Sequence, residues 1–185
     1  MNKTFKVEIG NCVRELNLIE GASVSYYSFN MLGDCELNEE SAKELAKKID
    51  GSVDVIVTIE SKAIALTQEL SRLLGHKKYV VIRKSVKSYM RNAVSVSGNT
   101  IISGNADYVI DGADVEYLKG KRILVLDDVI STGGTIDAVC KLLGKCGLQP
   151  IQFACVLCEG KMTTEFNGAP VVSCGFIPLL EGKDD

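Results

Sequence analysis

Apolar runs alternate along the chain with segments that carry one apolar face. Four runs are hydrophobic on both faces and predict buried strands at residues 53–59, 78–83, 122–127 and 150–158. Three segments with apolar residues at helical spacing predict helices at 38–50, 62–74 and 135–145. Strands and helices in alternation predict an α/β fold, with a parallel twisted sheet flanked by helices.

The ends of the chain and one inner segment have a different pattern. Residues 1 to about 36 read as short strands and turns, and residues 163–185 read as irregular. We expect both to contribute to a small cap, or hood, over the sheet. Residues 84–121 alternate weakly and are rich in Ser, Gly and Asn, which predicts a flexible loop or a hairpin. The 185 residues are consistent with a single domain.

Charge and hydropathy argue against several classes of binding partner. The net charge is −3, which gives no electrostatic support for nucleic-acid binding. No apolar run approaches the ~20 residues of a membrane span, and the N-terminus lacks the apolar region of a signal peptide. Seven scattered cysteines, an odd number, favour free thiols in a reducing compartment. We therefore expect a cytoplasmic protein with neither nucleic acid nor membrane as a partner.

Cys155 and Cys158 form the one CxxC pattern in the chain. They lie in a predicted strand, where residues three apart point to opposite faces and chelate poorly. The chain has a single His. A core role is therefore favoured over a zinc site, and no metal held directly by protein ligands is expected.

Residues 123–135, ILVLDDVISTGGT, place two acids at the end of an apolar strand and small residues at the start of a helix. In parallel sheets, ligands bind beyond the carboxyl ends of the strands. Helix N-termini offer free amides, and Gly133 and Gly134 allow the backbone to approach a ligand closely. With the hydroxyls of Ser131, Thr132 and Thr135, this segment predicts a cradle for a phosphate monoester.

Two common phosphate loops are excluded. No lysine follows the glycines, as a Walker A loop requires, and no GxGxxG is present. Asp127 and Asp128 would repel a phosphate, so their presence needs another reason. A ribose 5′-phosphate supplies it, since its 2′ and 3′ hydroxyls can donate hydrogen bonds to the two carboxylates.

The segment Asp127 to Thr135, with its preceding strand, resembles the phosphoribosyl pyrophosphate motif of the type I phosphoribosyltransferases. Residues 58–62 resemble the pyrophosphate loop of that family, and residues 81–89 resemble a strand end and the start of its flexible catalytic loop. The matches span about 53–159, and the chain is most similar to adenine phosphoribosyltransferases and related purine-type members.

The resemblance implies transfer of 5-phosphoribosyl from its 1-pyrophosphate to a nitrogen of a base, in nucleotide salvage. It implies that residues Ser131 to Thr135 hold the 5′-phosphate, with Asp127 and Asp128 facing the ribose. It also implies pyrophosphate contacts from Glu60, Ser61 and Lys62, further cations from Arg83, Lys84 and Lys87, and catalytic roles for Asp127, Asp128, Lys84 and Lys87.

Three further expectations follow from the resemblance. Mg²⁺ is bound mainly through the phosphoribosyl pyrophosphate, the chain pairs as a homodimer, and the Glu60–Ser61 peptide is cis. One departure concerns the Glu-Tyr pair that adenine enzymes usually carry in the flexible loop. Here Asn99 to Asn105 reads NTIISGN, without an acid, so the general acid or base stays open.

The favoured base is a purine, adenine first. The 6-oxopurine enzymes usually place an aspartate at the fifth loop position, where this chain has Ser131, a poor general base. Tyr27 and Phe29 offer aromatic faces for the purine. The alternatives are a xanthine, hypoxanthine/guanine or orotate phosphoribosyltransferase, or a non-catalytic regulator that binds phosphoribosyl pyrophosphate or a nucleotide.

Overall fold

The computed structural model describes residues 3–21, 24–100 and 104–181. In chain order, the elements are β1 (Thr4–Ile9), β2 (Cys12–Ile19), β3 (Val24–Tyr27), α1 (Cys35–Ala46), β4 (Val55–Ile59), α2 (Ile64–Leu73), β5 (Val80–Ile82), β6 (Val94–Thr100), β7 (Gly104–Ile110), α3 (Gly112–Leu118), β8 (Ile123–Ile130), α4 (Gly134–Lys145), β9 (Pro150–Glu159), β10 (Glu165–Phe166), β11 (Ala169–Ile177) and β12 (Leu179–Glu181).

The main sheet has the order β10-β11-β9-β8-β4-β5. Its five longer strands pair in parallel, and β10 joins the edge as an antiparallel hairpin with β11. The predicted α/β class with a parallel sheet flanked by helices is confirmed. Strand β8, which carries the two acids near its carboxyl end, lies inside this sheet between β9 and β4.

Both faces of the sheet are covered, which is why its strands are apolar throughout. Ile123 and Val125 of β8 pack on one face in a cluster with α4, whereas Leu124 and Leu126 pack on the other with α1 and α2. At the sheet centre, the buried Thr58 hydroxyl donates a 2.9 Å hydrogen bond to the Leu126 carbonyl. This bond joins β4 to β8 just before their functional loops.

A second sheet, with the order β1-β2-β3-β12, forms the hood. Strand β12, near the end of the chain, pairs antiparallel with β3 near its beginning. The reading of residues 163–185 as irregular needs correction, because residues 169–177 form a strand of the main sheet. Ser173, Cys174 and Gly175 interrupt the apolar pattern of this strand, since it lies near the sheet edge.

Within residues 84–121, strands β6 and β7 form an antiparallel hairpin, and the short helix α3 follows. The hairpin alternative is therefore the one that the structure shows, and α3 is an addition to the prediction. The hairpin packs tightly on α4, since a Cβ at Gly98 would lie 2.8 Å from the Ala138 Cβ. Tyr108 of β7 is fully buried.

The prediction that Cys155 and Cys158 point to opposite faces of their strand was wrong. The sulfurs of Cys155 and Cys158 lie 3.8 Å apart and share one face of β9. Val156 and Leu157 both pack on the opposite face, so the strict alternation of the strand slips by one residue. The hydrogen bond with Cys155 lowers the pKa of the Cys158 thiol to about 6.

None of the helices within the described ranges is long and apolar enough to cross a bilayer.

Candidate active site

The carboxyl ends of β4, β8 and β9 open into one cavity of about 1100 Å³ beneath the hood. This is the position at which parallel sheets bind ligands. The walls combine residues of the two predicted loops with hood and strand-end residues: Val24, Tyr26, Tyr27, Ser28, Phe29, Ile59, Glu60, Ser61, Lys62, Lys84, Glu159, Ile177, Leu179 and all residues from Asp127 to Ile136.

The predicted phosphate cradle lines this cavity. Gly133 precedes α4 in a left-handed conformation, with φ 84° and ψ 1°, which a glycine adopts without strain. No side chain in the described part of the protein caps this helix. Its first amides and the Ser131, Thr132 and Thr135 hydroxyls are thus available to an anion, and the helix dipole favours negative charge there.

Asp127 and Asp128 lie side by side on the cavity wall. The Asp127 carboxylate accepts a 2.9 Å hydrogen bond from the Asp128 amide. Burial, together with the charge of Asp128, raises the pKa of Asp127 well above its usual range. The Lys62 ammonium lies 3.2 Å from Asp128 Oδ2, which brings the predicted pyrophosphate loop into contact with the acidic pair.

Glu60, Ser61 and Lys62 follow β4 and line the cavity. The predicted cis Glu60–Ser61 peptide is confirmed. The Glu60 carboxylate accepts hydrogen bonds of 2.5 Å from Arg83 Nε and from the Lys84 amide. Burial alone would raise the pKa of Glu60, but these two bonds outweigh it, and the pKa is lowered. Glu60 therefore ties this loop to the end of β5.

The predicted cations separate into two groups. Lys62 and Lys84 line the cavity. Arg83 instead bonds Glu60 and the Tyr89 hydroxyl, the latter at 3.1 Å, and Lys87 donates to the Ser85 hydroxyl at 2.6 Å. Among the described residues, Arg83 and Lys87 are not part of the cavity wall.

The hood supplies the aromatic side of the cavity. Tyr27 and Phe29, the predicted base-binding residues, lie on its wall and are each 5% exposed. The Tyr27 ring packs on Phe5 of β1, with centroids 5.2 Å apart. These residues place a rigid apolar surface opposite the strand ends.

One charged wall residue was missed by the sequence analysis. Glu159 is the last residue of β9, is 5% exposed, and faces the same cavity. A usable signal was present in the sequence. Like Asp127, Glu159 is an acid at the carboxyl end of an apolar strand, and it precedes a glycine.

The loop in which an acid was sought, Asn99 to Asn105, includes residues 101–103, which lie outside the described residues. Within the described residues, no group of three or more His, Cys, Asp or Glu side chains is placed to hold a metal ion.

Comparisons with known proteins show what this chain is similar to. The model of the phosphoribosyl transferase domain matches residues 30–177. A hypoxanthine/guanine phosphoribosyltransferase of Methanococcus voltae is 34% identical over 125 residues, which cover 68% of this chain and 63% of that protein. An adenine phosphoribosyltransferase of Rhodospirillum rubrum is 28% identical over 151 residues, covering 78% of this chain and 83% of that protein.

A solved structure supports the fold. The adenine phosphoribosyltransferase of Thermoanaerobacter pseudethanolicus superposes with a TM-score of 0.71 at 22% identity. The match covers 87% of this chain and 95% of that one. At this identity, the likeness bears on architecture and leaves the choice of base open.

Proposed function

The chain belongs to the phosphoribosyl transferase family and is a purine-type member of it, and from this premise we propose the roles of its residues. The reaction transfers the 5-phosphoribosyl group of phosphoribosyl pyrophosphate to a purine nitrogen. Its products are a nucleoside 5′-monophosphate and pyrophosphate.

The observation that carries this proposal is the single cavity in which both predicted loops meet. The cradle after β8 and residues 60–62 after β4 end neighbouring strands of the sheet. A donor with a phosphate at one end and a pyrophosphate at the other needs two anion sites, held apart by the width of a sugar. The Lys62–Asp128 contact brings the two loops together, which supports a single substrate that touches both.

Asp127 and Asp128 lie between these anion sites and face the ribose. Their oxygens accept hydrogen bonds from the sugar hydroxyls. As the bond to pyrophosphate breaks, positive charge grows on the sugar ring, and nearby carboxylates stabilise it. Lys62 is paired with Asp128 in the free protein, and its charge also lies at the pyrophosphate loop, where it stabilises the leaving group.

Mg²⁺ fits this site as a partner of the substrate. Magnesium commonly binds through one or two carboxylates together with substrate phosphates, and it keeps several waters. Here the ion would be held mainly by the substrate, and Asp127 and Asp128 would meet the waters that it keeps. When bound, the ion neutralises charge on the pyrophosphate. The hood then covers the reacting atoms, and Tyr27 and Phe29 exclude water from the side of the base.

The identity of the base is still a prediction. Ser131 at the fifth loop position favours adenine, because it offers no acid beside the purine N7. The two relatives described above carry the names of a hypoxanthine/guanine enzyme and an adenine enzyme.

We also propose a homodimer in the cytoplasm. The exposed side chains of Val86 and Tyr89, 65% and 61% exposed, follow β5 and offer an apolar surface to a second copy. The seven cysteines are free thiols, as in reducing compartments. Light scattering at micromolar concentration tests the dimer, and a single species of 20.0 kDa would contradict it.

The test of function is release of pyrophosphate from phosphoribosyl pyrophosphate and Mg²⁺ with adenine, guanine, hypoxanthine, xanthine or orotate. Lys62→Met should raise the KM for phosphoribosyl pyrophosphate by about 10- to 100-fold, the typical effect of losing a charged hydrogen bond. Lys78→Met is the matched control, because Lys78 pairs with Asp114 away from the cavity at 2.7 Å. Binding of the donor without turnover of any base would indicate a regulator instead.

A further inference from the structure

Glu159 differs from the other acids of the cavity. Glu60 bonds Arg83, Asp128 pairs with Lys62, and Asp127 accepts a bond from the backbone. The Glu159 side chain is 5% exposed, yet it forms no hydrogen bond or ion pair with any other residue that the structure describes. Its oxygens are not among the buried polar atoms without a partner, so they are open to the cavity. A wall carboxylate that no described side chain occupies is available to a ligand that donates hydrogen bonds.

The sheet order indicates which part of the substrate Glu159 meets. Strand β9 lies on the opposite side of β8 from β4. A phosphoribosyl pyrophosphate that runs from the loop after β8 to the loop after β4 leaves the β9 side for the base. Leu179 of the hood lies against this point, since a Cβ at Gly160 would be 3.0 Å from the Leu179 Cβ. Glu159 therefore lies under the hood, at the edge of the space for the base.

The chemistry of a carboxylate limits the base edge that fits. An ionised carboxylate has two oxygens that accept hydrogen bonds and no donor. Guanine places its N1–H beside its 2-amino group, so two donors meet two acceptors. Hypoxanthine offers only N1–H, and adenine presents its amine beside an unprotonated ring nitrogen. Xanthine has a carbonyl in place of the 2-amino group, and that oxygen repels a carboxylate.

Building on the purine transferase function proposed above, we infer that Glu159 binds the N1–H and 2-amino edge of guanine and that guanine is the preferred base. The adenine preference drawn from Ser131 rests on a different edge of the purine, and the base panel described above decides between the two. Ser131 concerns only the proton at N7, whereas Glu159 concerns the edge that distinguishes one purine from another.

The size of the effect follows from one charged hydrogen bond. Its loss typically changes kcat/KM by about 10- to 100-fold. Guanine and hypoxanthine differ only in the 2-amino group, so their kcat/KM ratio measures this bond directly. We expect the wild-type protein to favour guanine over hypoxanthine by about 10-fold or more.

Glu159→Gln tests the assignment, because glutamine keeps the shape of the side chain and exchanges one acceptor for a donor. The new amide group opposes the 2-amino group of guanine and suits the 2-carbonyl of xanthine. We expect the guanine-to-xanthine ratio of kcat/KM to fall by on the order of 100-fold. Glu116→Gln is the matched control, since Glu116 is exposed on α3 and pairs only with Lys119.

The possible outcomes distinguish a failure of the Glu159 assignment from a failure of the transferase function. Equal losses on every base in Glu159→Gln, or a wild-type protein that uses hypoxanthine as well as guanine, would overturn the role of Glu159 alone. A wild-type protein that turns over no base would overturn the transferase function itself. Calorimetry with GMP and IMP on the wild-type protein needs no variant, and equal affinities for the two nucleotides would also refute the inference.

Discussion

A methyl group added at Gly133 should damage the protein in two separable ways. The left-handed backbone of Gly133, with φ 84°, is unfavourable for any residue with a Cβ. That Cβ would also lie 2.8 Å from Phe166 Cε2. The Phe166 ring packs edge-on against the buried Phe153, with centroids 5.6 Å apart, so it has little freedom to move aside.

The magnitude follows from these two contributions. The left-handed conformation costs about 1–2 kcal/mol in a residue other than glycine, and overpacking adds about 1–3 kcal/mol. We take about 3 kcal/mol as the total, which lowers the melting temperature by about 6–12 °C for a protein of this size. The KM for phosphoribosyl pyrophosphate should rise as well, because the cradle amides move with the loop.

Gly144 inside α4 and Gly147 just after it are matched controls. Gly147 has φ 70° and Gly144 has no left-handed backbone, and a Cβ at either would meet no described atom within 4 Å. Gly147→Ala should therefore lose only the backbone contribution of about 1–2 kcal/mol. Gly144→Ala, inside the helix, should gain about 0.5–1 kcal/mol.

Thermal unfolding of the three alanine variants separates the backbone contribution from the contact with Phe166. If Gly133→Ala melts with Gly147→Ala, the contact with Phe166 has no energetic weight. If it melts with the wild-type protein, the backbone argument is wrong too. Adding Phe166→Leu to Gly133→Ala should recover part of the loss, and no recovery would show that the ring is not the obstacle.

Three further substitutions test single contacts. Asp127→Asn should lower kcat/KM by about 100-fold. The variant should also melt at a higher temperature than the wild-type protein, and the difference should be larger at pH 8 than at pH 5. The raised pKa of Asp127 favours the folded state only at low pH, where the carboxyl is protonated, and this contribution is lost as pH rises. Thr58→Val should lower the free energy of unfolding in urea by about 1–2 kcal/mol, because it removes the bond to Leu126. Glu60→Gln should raise the KM for phosphoribosyl pyrophosphate by about 10-fold, since it weakens the link between the pyrophosphate loop and Arg83.

Each of these expectations has a contrary result. Unchanged turnover in Asp127→Asn would remove that carboxylate from the ribose site, and a pH-independent melting difference would remove the electrostatic argument. Wild-type urea stability in Thr58→Val would mean that the hydroxyl contributes nothing between the strands. An unchanged KM in Glu60→Gln would show that the loop holds its shape without Arg83.

The central strands were predictable because burial on both faces leaves an unbroken apolar run. The predicted strand at 53–59 begins two residues before β4 does, and the run at 122–127 continues to Ile130. Both candidate anion-binding loops followed from the same reasoning, since they come directly after these strands. Strand β11 was missed because polar residues interrupt it near the sheet edge.

The start of helix α1 was predicted too late in the sequence, for a reason that its residues make clear. The helix was predicted to begin at residue 38, where the sequence has Asn, a residue type common at helix starts. It begins instead at Cys35, and Asp34 is the cap, accepting a 3.0 Å bond from the Leu37 amide. Asn38 is buried instead, and its side chain donates to the Met31 carbonyl at 2.8 Å. A buried Asn that donates to the carbonyls of Met31 and Asp34 has the same local sequence pattern as an Asn at a helix start, so the pattern alone did not separate the two.

The pairing of β12 with β3 has a consequence for how the cavity closes. Leu179 pairs with Tyr26 across 153 positions of the chain, and among the described residues three pairs join the two strands. Closing so long a loop costs entropy, and the few residue pairs that form afterwards stabilise it little. We therefore expect this edge to form late in folding. The same edge should open first by local unfolding, while the parallel sheet stays intact. A nucleotide that touches both Tyr26 and Leu179 on the cavity wall would then hold together β3 and β12, two strands that the chain itself joins weakly.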